Sequence, residues 1–143
     1  MISKERYLSP EKWGLILNKL PFQLQTSIIG QSVLNQPIAA HRIGNGPVKV
    51  LMWSQMHGNE STTTRAFFDV IKHLYSSDGN NLIENLSLMV IPQLNPDGAA
   101  AYTRLNANGI DLNRDAIVLS QPESIVLKKV FEGLPFNIIF CAP

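Results

Sequence analysis

The 143-residue sequence has little of several features that would assign a chain to a specialised class of protein. Its single cysteine, Cys141, cannot form a disulfide within the chain, which excludes a disulfide-stabilised fold. The formal net charge is +1, without any long run of lysine or arginine, so the charge pattern of a nucleic-acid-binding protein is missing. No apolar run reaches the roughly 18 residues that a transmembrane helix needs, and we expect no membrane partner.

The first residues also lack the apolar segment of a signal peptide, since residues 3–6 are all polar or charged. For the sequence as it stands we therefore expect a cytoplasmic location. Hydrophobic residues make up 45% and charged residues 16%, which is the balance of a folded globular chain. Because no repeat or Pro/Ser-rich linker divides it, we predict a single domain over residues 1–143.

Hydrophobic patterning predicts an α/β fold. Two β-prone segments, 24–29 and 37–43, are separated by turn residues and predict an opening antiparallel hairpin. Nearly continuous apolar runs are typical of buried strands, and they lie at 48–54, 86–91 and 136–140. Helices are predicted from Ser9 to about Leu20, at about 60–75 and at 121–132, with a loop over 95–120. This order predicts a mixed, mostly parallel sheet with helices on both faces.

A histidine and a glutamate follow the first buried strand at the spacing H-x-x-E. His57 and Glu60 place an imidazole and a carboxylate where the predicted strand becomes a helix, and Gly58 allows a sharp turn between them. Zinc accepts nitrogen and oxygen ligands of this kind. A loop histidine beside a glutamate that offsets a helix dipole is the alternative interpretation.

A second polar loop follows the next buried strand. It opens with the turn sequence of residues 95–98, Asn-Pro-Asp-Gly, and continues through Arg104 to the segment 111–115. An arginine fork binds a carboxylate through two hydrogen bonds, and a second arginine can stabilise an oxyanion. Because ligand sites in such sheets lie at the carboxyl ends of the strands, both loops are expected at one edge. A solvated loop stiffened by Asx turns is the alternative.

Taken together, these motifs resemble the zinc carboxypeptidase family over roughly residues 25–140. The H-x-x-E pair, the 95–98 turn, Arg104 and the Asp-x-Asn-Arg segment at 111–114 stand in the family's order, and residues 30–32 resemble its opening hairpin. The resemblance implies a metallocarboxypeptidase that uses Zn²⁺ to remove C-terminal residues from peptides with a free terminal carboxylate.

The resemblance also implies roles for individual residues. His57 and Glu60 would be two zinc ligands, Arg104 would polarise the scissile carbonyl, and Asn113 with Arg114 would bind the substrate's terminal carboxylate. Asp111 would support this loop or a ligand. Asp115 departs from the commoner asparagine, and an added negative charge beside Arg114 would weaken carboxylate capture or favour a basic substrate.

Parts of the family pattern are missing. The third zinc ligand is a histidine at the end of the next strand, but the predicted strand 136–140 runs into Cys141. His41, expected to be exposed in the hairpin, and His73, late in a helix, are not expected to replace it, and no glutamate matches the catalytic base. The sequence therefore predicts an incomplete N-terminal portion of a catalytic domain, with impaired activity and an apolar open sheet edge.

Two other functions stay open. A related zinc amidohydrolase or deacylase shares the H-x-x-E and Asn-Arg elements, although the 95–98 turn favours the peptidase. A catalytically inactive remnant that only binds carboxylate-ended peptides through Asn113 and Arg114 is the second. Substrate side-chain preference is not readable from these motifs.

Overall fold

The computed structural model describes residue 7, residues 10–17, residue 20 and residues 24–141. The six helices of this part of the chain are α1 Pro10–Leu17, α2 Thr62–Leu74, α3 Asn80–Asn85, α4 Pro96–Ala101, α5 Leu112–Val118 and α6 Pro122–Gly133. Its five strands are β1 Gln25–Gln31, β2 Pro37–Ile43, β3 Val48–Trp53, β4 Leu86–Ile91 and β5 Ile138–Cys141. No helix within these ranges combines the length and the apolar character that crossing a membrane requires.

The strands form one mixed sheet in the order β1-β2-β4-β3-β5. β1 pairs with β2, and β2 with β4, in antiparallel fashion, whereas β3 pairs in parallel with both β4 and β5. The predicted α/β fold, with a parallel centre and an opening antiparallel hairpin, is therefore confirmed. The parallel pairing brings the carboxyl ends of β3 and β4 side by side, with Trp53 opposite Ile91.

Two apolar clusters cover the two faces of the sheet. On one face Trp13 of α1 and Phe67, Phe68 and Ile71 of α2 pack together over the inner strands. On the other face Leu112 of α5 and Val126 of α6 are members of a second cluster with residues of β2, β3 and β4. An apolar sheet face has to be covered, and here helices cover both faces. The predicted arrangement with helices on both faces is therefore confirmed.

Some predicted boundaries were wrong. The expected loop over 95–120 contains α4 and α5, and α3 was not predicted at all. α4 begins where Asn95 caps it by accepting a 2.8 Å hydrogen bond from the backbone N–H of Gly98, with Pro96 in the first turn. Helices of six or seven residues are too short to show a clear apolar period, and the sequence pattern therefore indicated a loop. The predicted helix start at Ser9 lies outside the described residues.

β5 begins two residues later than predicted. Asn137 precedes it and binds Lys49 of β3 twice, donating its N–H to the Lys49 carbonyl at 2.8 Å and accepting the Lys49 N–H on Oδ1 at 2.8 Å. The four residues of β5 are exposed, including the apolar Ile138, Ile139 and Phe140. The predicted apolar edge strand is present, and self-association through it stays a prediction.

His41 is buried, contrary to the expectation that it is exposed in the hairpin. β2 is not an edge strand, since β1 and β4 flank it, and the aromatic rings of Trp13 and Phe67 lie 6.4 and 6.3 Å from the imidazole. Its Nδ1 contacts Thr26 Oγ1 at 2.9 Å, whereas Nε2 is buried without a hydrogen-bond partner among the described residues. Burial lowers the pKa of His41 from 6.5 to about 4.

Acid should destabilise the fold through His41. His41 binds a proton near pH 6.5 in the unfolded chain but only near pH 4 in the folded chain. The free energy of unfolding is therefore not reduced by His41 above pH 6.5, and it falls as the pH is lowered from 6.5 to 4. The loss attributable to His41 approaches about 3 kcal/mol. Urea unfolding from pH 4 to 7.5 measures it. His41→Leu should flatten the curve relative to wild type, and His73→Leu, at an exposed helix position, should not. Equal curves for wild type and His41→Leu would contradict the prediction.

Candidate active site

The candidate site lies at the carboxyl ends of β3 and β4. The segment 54–61 leaves β3 and leads into α2, and Asn95 follows β4 and caps α4. Backbone hydrogen bonds join the two segments: Leu94 donates to Ser54 at 3.1 Å and Asn95 donates to Gln55 at 3.0 Å. The two motif-bearing loops therefore meet at one edge of the sheet, as the sequence predicts.

Gln55 shapes the turn that carries His57. It is fully buried with a positive φ of 48°, and its Nε2 donates to the carbonyl of Gly58 at 2.7 Å. Its Oε1 accepts from Thr64 of α2 at 2.6 Å and from Gln93 Nε2 at 3.1 Å. One buried amide thus fixes the turn to the start of α2 and to the end of β4. No sequence motif singled out this glutamine.

His57 and Glu60 come together as the H-x-x-E spacing predicts. His57 Nδ1 lies 3.2 Å from Glu60 Oε2, and the imidazole is only 3% exposed. Glu60 does not lie in the first turn of α2, which was the expectation, because Ser61 is the N-cap and the helix begins at Thr62. Glu60 instead belongs to the turn itself, where its N–H donates to the His57 carbonyl at 3.1 Å.

Arg104 and Asp111 complete a closed ring with this pair. Asp111 Oδ1 lies 3.2 Å from His57 Nε2, and Arg104 Nε donates to Asp111 Oδ2 at 3.2 Å. Arg104 also donates from a terminal guanidinium nitrogen to Glu60 Oε1 at 3.2 Å. The Arg104 side chain is 47% exposed and that of His57 is 3% exposed, so the ring is open to solvent on the arginine side and closed on the histidine side.

Asp111 sets the orientation of the imidazole. Partial burial raises the pKa of Asp111, but hydrogen bonds from the Asn113 N–H, His57 and Arg104 outweigh it and hold that pKa below its ordinary value. An ionised carboxylate only accepts hydrogen bonds, so it favours the tautomer that carries its proton on Nε2. Nδ1 is then the nitrogen with a free lone pair, and it faces Glu60.

The donors present at this point fit a zinc ion. Zinc bonds to histidine nitrogen and carboxylate oxygen are about 2.0–2.2 Å long, so a nitrogen and an oxygen 3.2 Å apart can share one ion. Within the described ranges no group of three or more histidine, cysteine, aspartate or glutamate side chains is arranged to hold a metal. His41 is buried in β2, and His73 and Cys141 are exposed on α2 and β5.

Asn113 and Arg114 lie in the first turn of α5, next to the ring. Asp111 caps this helix by accepting the Asn113 N–H at 2.9 Å, and buried Leu112 anchors it to the apolar cluster. The side chains of Asn113 and Arg114 are exposed. One carboxylate, that of Asp111, thus connects the predicted metal pair to the predicted carboxylate-binding residues.

A known protein family matches most of the chain. The model of the zinc carboxypeptidase family matches residues 13–125. The chain belongs to the zinc carboxypeptidase family. A relative from Trichophyton verrucosum, "Probable carboxypeptidase 2", is 30% identical over 87 residues, which are 58% of this chain and 17% of the fungal protein.

Solved carboxypeptidases share the fold. A metallo-carboxypeptidase from Burkholderia cenocepacia matches with a TM-score of 0.81 at 21% identity, over 94% of this chain and 40% of that one. A metallo-carboxypeptidase from Pseudomonas aeruginosa, solved in complex with (2-guanidinoethylmercapto)succinic acid, matches with a TM-score of 0.78 at 22% identity, over 94% and 39%. The chain thus spans well under half the length of these carboxypeptidases.

The Asp115 carboxylate is bound by residues that follow α5, and its effect on carboxylate capture by Arg114 stays a prediction. Asp115 is buried, and its carboxylate accepts hydrogen bonds from Ser120 N–H and Oγ at 2.9 and 2.6 Å and from Gln121 N–H at 2.9 Å. Burial raises its pKa, but these hydrogen bonds outweigh burial and hold the pKa of Asp115 below its ordinary value. Asp115 therefore fixes the connection between α5 and α6, where Leu119 adopts a positive φ of 57°.

Proposed function

We propose that this chain carries part of the active site of a zinc-dependent carboxypeptidase that acts on peptides with a free C-terminal carboxylate. The observation that carries the proposal is the ring of His57, Glu60, Arg104 and Asp111, closed by four contacts of 3.2 Å. A histidine held between two carboxylates is typical of a metal ligand with an oriented imidazole. A solvated loop would not require this arrangement.

His57 Nδ1 and Glu60 would hold zinc. When bound, zinc supplies Lewis-acid chemistry, which activates water for attack and polarises the scissile carbonyl. Asp111 keeps the imidazole oriented through its contact with Nε2. Membership of the zinc carboxypeptidase family supports the same metal.

Arg104 would act on the carbonyl oxygen of the scissile bond. The two carboxylates of Glu60 and Asp111 hold its guanidinium at the open side of the ring, and about half of the side chain stays accessible to a substrate. Guanidinium donors fixed in advance stabilise an oxyanion because they need no reorganisation as the charge develops. A third zinc ligand, in addition to His57 and Glu60, and a catalytic base would have to come from outside the described residues.

Asn113 and Arg114 would bind the terminal carboxylate of the peptide. Both lie two to three residues from Asp111 in the first turn of α5 and are exposed. A planar guanidinium matches a carboxylate through two parallel hydrogen bonds. The related Pseudomonas aeruginosa enzyme is solved with a succinic acid derivative, which is a ligand of this carboxylate-bearing kind.

The coverage of relatives bears on how much of the activity this chain supplies. It matches 17% of the fungal relative and 40% of the solved Burkholderia cenocepacia chain. We infer that it corresponds to an N-terminal portion of a carboxypeptidase domain, over residues 1–143. Hydrolysis by this chain alone should therefore be weak or absent, whereas recognition of zinc and of the carboxylate should be retained.

A pair of matched peptides tests this function. A peptide with a free C-terminal carboxylate should bind at least about tenfold more tightly than the same peptide amidated, because a charge-assisted pair contributes about 1.5–3 kcal/mol. Arg114→Ala should remove the difference, and Arg42→Ala, at an exposed position of β2, should keep it. Calorimetry with and without zinc measures the affinity of each protein for the two peptides, and peptide cleavage is followed in parallel.

Each alternative has its own outcome. Equal binding or cleavage of the two peptides would overturn the exopeptidase and favour an amidohydrolase or deacylase. Selective binding with no zinc-dependent cleavage, even when further carboxypeptidase segments are supplied, would favour a binding remnant. Zinc-dependent cleavage that His57→Ala abolishes would exclude that remnant.

A further inference from the structure

Arg104 and Asp111 reach the same site although seven positions separate them in sequence. Arg104 Nε lies 3.2 Å from Asp111 Oδ2, and each residue also contacts the His57 and Glu60 pair. The segment 104–111 therefore doubles back on itself. Since neither residue belongs to a strand, and Asp111 only caps α5, the position of both depends on what holds this segment in its folded-back form.

Asn106 folds the segment back. Its backbone N–H donates to the Ile110 carbonyl at 3.0 Å, and its carbonyl accepts from Gly109 at 2.9 Å. Its side-chain Oδ1 accepts two further backbone N–H groups, from Asn108 at 3.1 Å and from Ile110 at 3.0 Å. Gly109 supplies the positive φ of 72° that the turn needs. One buried asparagine thus holds three points of the turn between Arg104 and Asp111.

The other end of the Asn106 amide is fixed from α6. Its Nδ2 donates to Gln121 Oε1 at 2.8 Å and to Glu123 Oε2 at 3.3 Å. Glu123 is fully buried. Its second oxygen, Oε1, accepts the N–H of Val33 in the turn between β1 and β2 at 3.2 Å. Glu123 therefore joins the hairpin turn, the start of α6 and the loop of the candidate site.

We propose that Asn106 and Glu123 form a positioning pair that places Arg104 and Asp111 at the site. A carboxylate only accepts hydrogen bonds, so Glu123 requires the NH₂ group of the Asn106 amide, which leaves Oδ1 for the turn. None of the hydrogen bonds of Glu123 within the described residues is to His57 or Glu60, so it acts through Asn106 and not on a substrate. The consequence for zinc binding rests on the proposed function, whereas the positioning of Arg104 does not.

Isosteric substitutions test the pairing without changing side-chain volume. Glu123→Gln must keep an oxygen for the Val33 N–H, so its NH₂ group faces the Asn106 NH₂ group. Asn106→Asp places two oxygens opposite each other. In the double variant Asn106→Asp with Glu123→Gln, the NH₂ group of the introduced glutamine donates to one oxygen of the introduced aspartate, so the hydrogen bond is restored in the reverse direction. The other aspartate oxygen still accepts the N–H groups of the turn. Gln121 can meet the reversed polarity by rotating its amide, but the rotation gives up the hydrogen bonds that Gln121 accepts from Asn108 Nδ2 and donates to Ser120 Oγ, both at 2.9 Å.

Two measurements on the full chain report on the site. In metal-free protein, exchange of the Arg104 Nε proton with water, followed by NMR, should accelerate about tenfold or more in each single variant. In the double variant it should return to within about threefold of wild type. Zinc affinity, from competition with a chromophoric chelator, should fall about 10- to 100-fold in the single variants and recover in the double variant.

A control separates positioning from general stability. Ser32→Ala removes a buried hydroxyl that donates to Asp97 at 2.8 Å and accepts the Gln36 N–H at 3.0 Å, in the same hairpin turn that Glu123 contacts. It should lower the melting temperature but leave Arg104 exchange and zinc affinity unchanged. Wild-type exchange in both single variants, or no recovery in the double variant, would overturn the proposal. If wild-type chain binds no zinc, the proposed function fails, and Arg104 exchange alone decides the positioning pair.

Discussion

Replacing His57 by alanine should abolish measurable zinc binding by this chain. Zinc binding to four-ligand protein sites is worth about 10–16 kcal/mol in total, so each ligand carries several kilocalories per mole and its loss costs a hundredfold or more in affinity. His57 supplies the only imidazole at the candidate site among the described residues, and its Nδ1 faces Glu60 at 3.2 Å. With that nitrogen removed, only the carboxylates of Glu60 and Asp111 remain at the site, and both are bound to Arg104.

Thermal unfolding with and without zinc measures this effect independently of catalysis. A ligand that binds only the folded state stabilises it by about 2.7 kcal/mol at 100 times its dissociation constant. Zinc should therefore raise the melting temperature of the wild-type chain but not that of His57→Ala. His73→Ala, which removes an exposed histidine of α2, should respond to zinc as the wild type does. A zinc response retained in His57→Ala would show that the metal binds elsewhere.

The elements and residues that local sequence determines were predictable. The bounds of β2 and β4 agree with the predicted segments because continuous β-prone runs end at clear turn residues. His57 and Glu60 meet because they are only three positions apart on one short turn, with Gly58 between them. The meeting of the 54–61 and 95–111 segments follows from parallel pairing of β3 with β4, which buried apolar runs already indicate.

Features that depend on tertiary packing were not predictable. Whether His41 is exposed is decided by β4 and the aromatic side chains that cover β2, and no local pattern encodes those neighbours. No local pattern indicated that the Asp115 carboxylate would be buried and would accept hydrogen bonds from Ser120 and Gln121. Polar residues 17 or more positions apart, such as Asn106 and Glu123, find each other only once α6 is docked.

Gly58→Ala should be among the most destabilising single substitutions at the site. A Cβ atom at Gly58 would lie 2.0 Å from the carbonyl carbon of Gly98 and 2.3 Å from the backbone nitrogen of Ala99. Both atoms belong to the main chain of α4, so no side-chain rotation relieves the contact. The same turn is held by Asn95 Nδ2, which donates to the Met56 carbonyl at 3.3 Å, and by Gln55. Separating the two loops breaks these buried hydrogen bonds as well.

The expected cost is about 3 kcal/mol or more, because overpacking against backbone forces the two loops apart and leaves buried polar groups unpaired. Urea unfolding of metal-free protein measures it. Gly133→Ala is the matched control: it lies in α6, a Cβ there meets no atom within 4 Å, and alanine should be neutral or stabilising by up to about 1 kcal/mol. A Gly58→Ala protein as stable as wild type would mean that the two loops are not packed backbone against backbone. The close packing of Gly58 against the main chain of α4 would then be excluded as the reason why His57 faces Asp111.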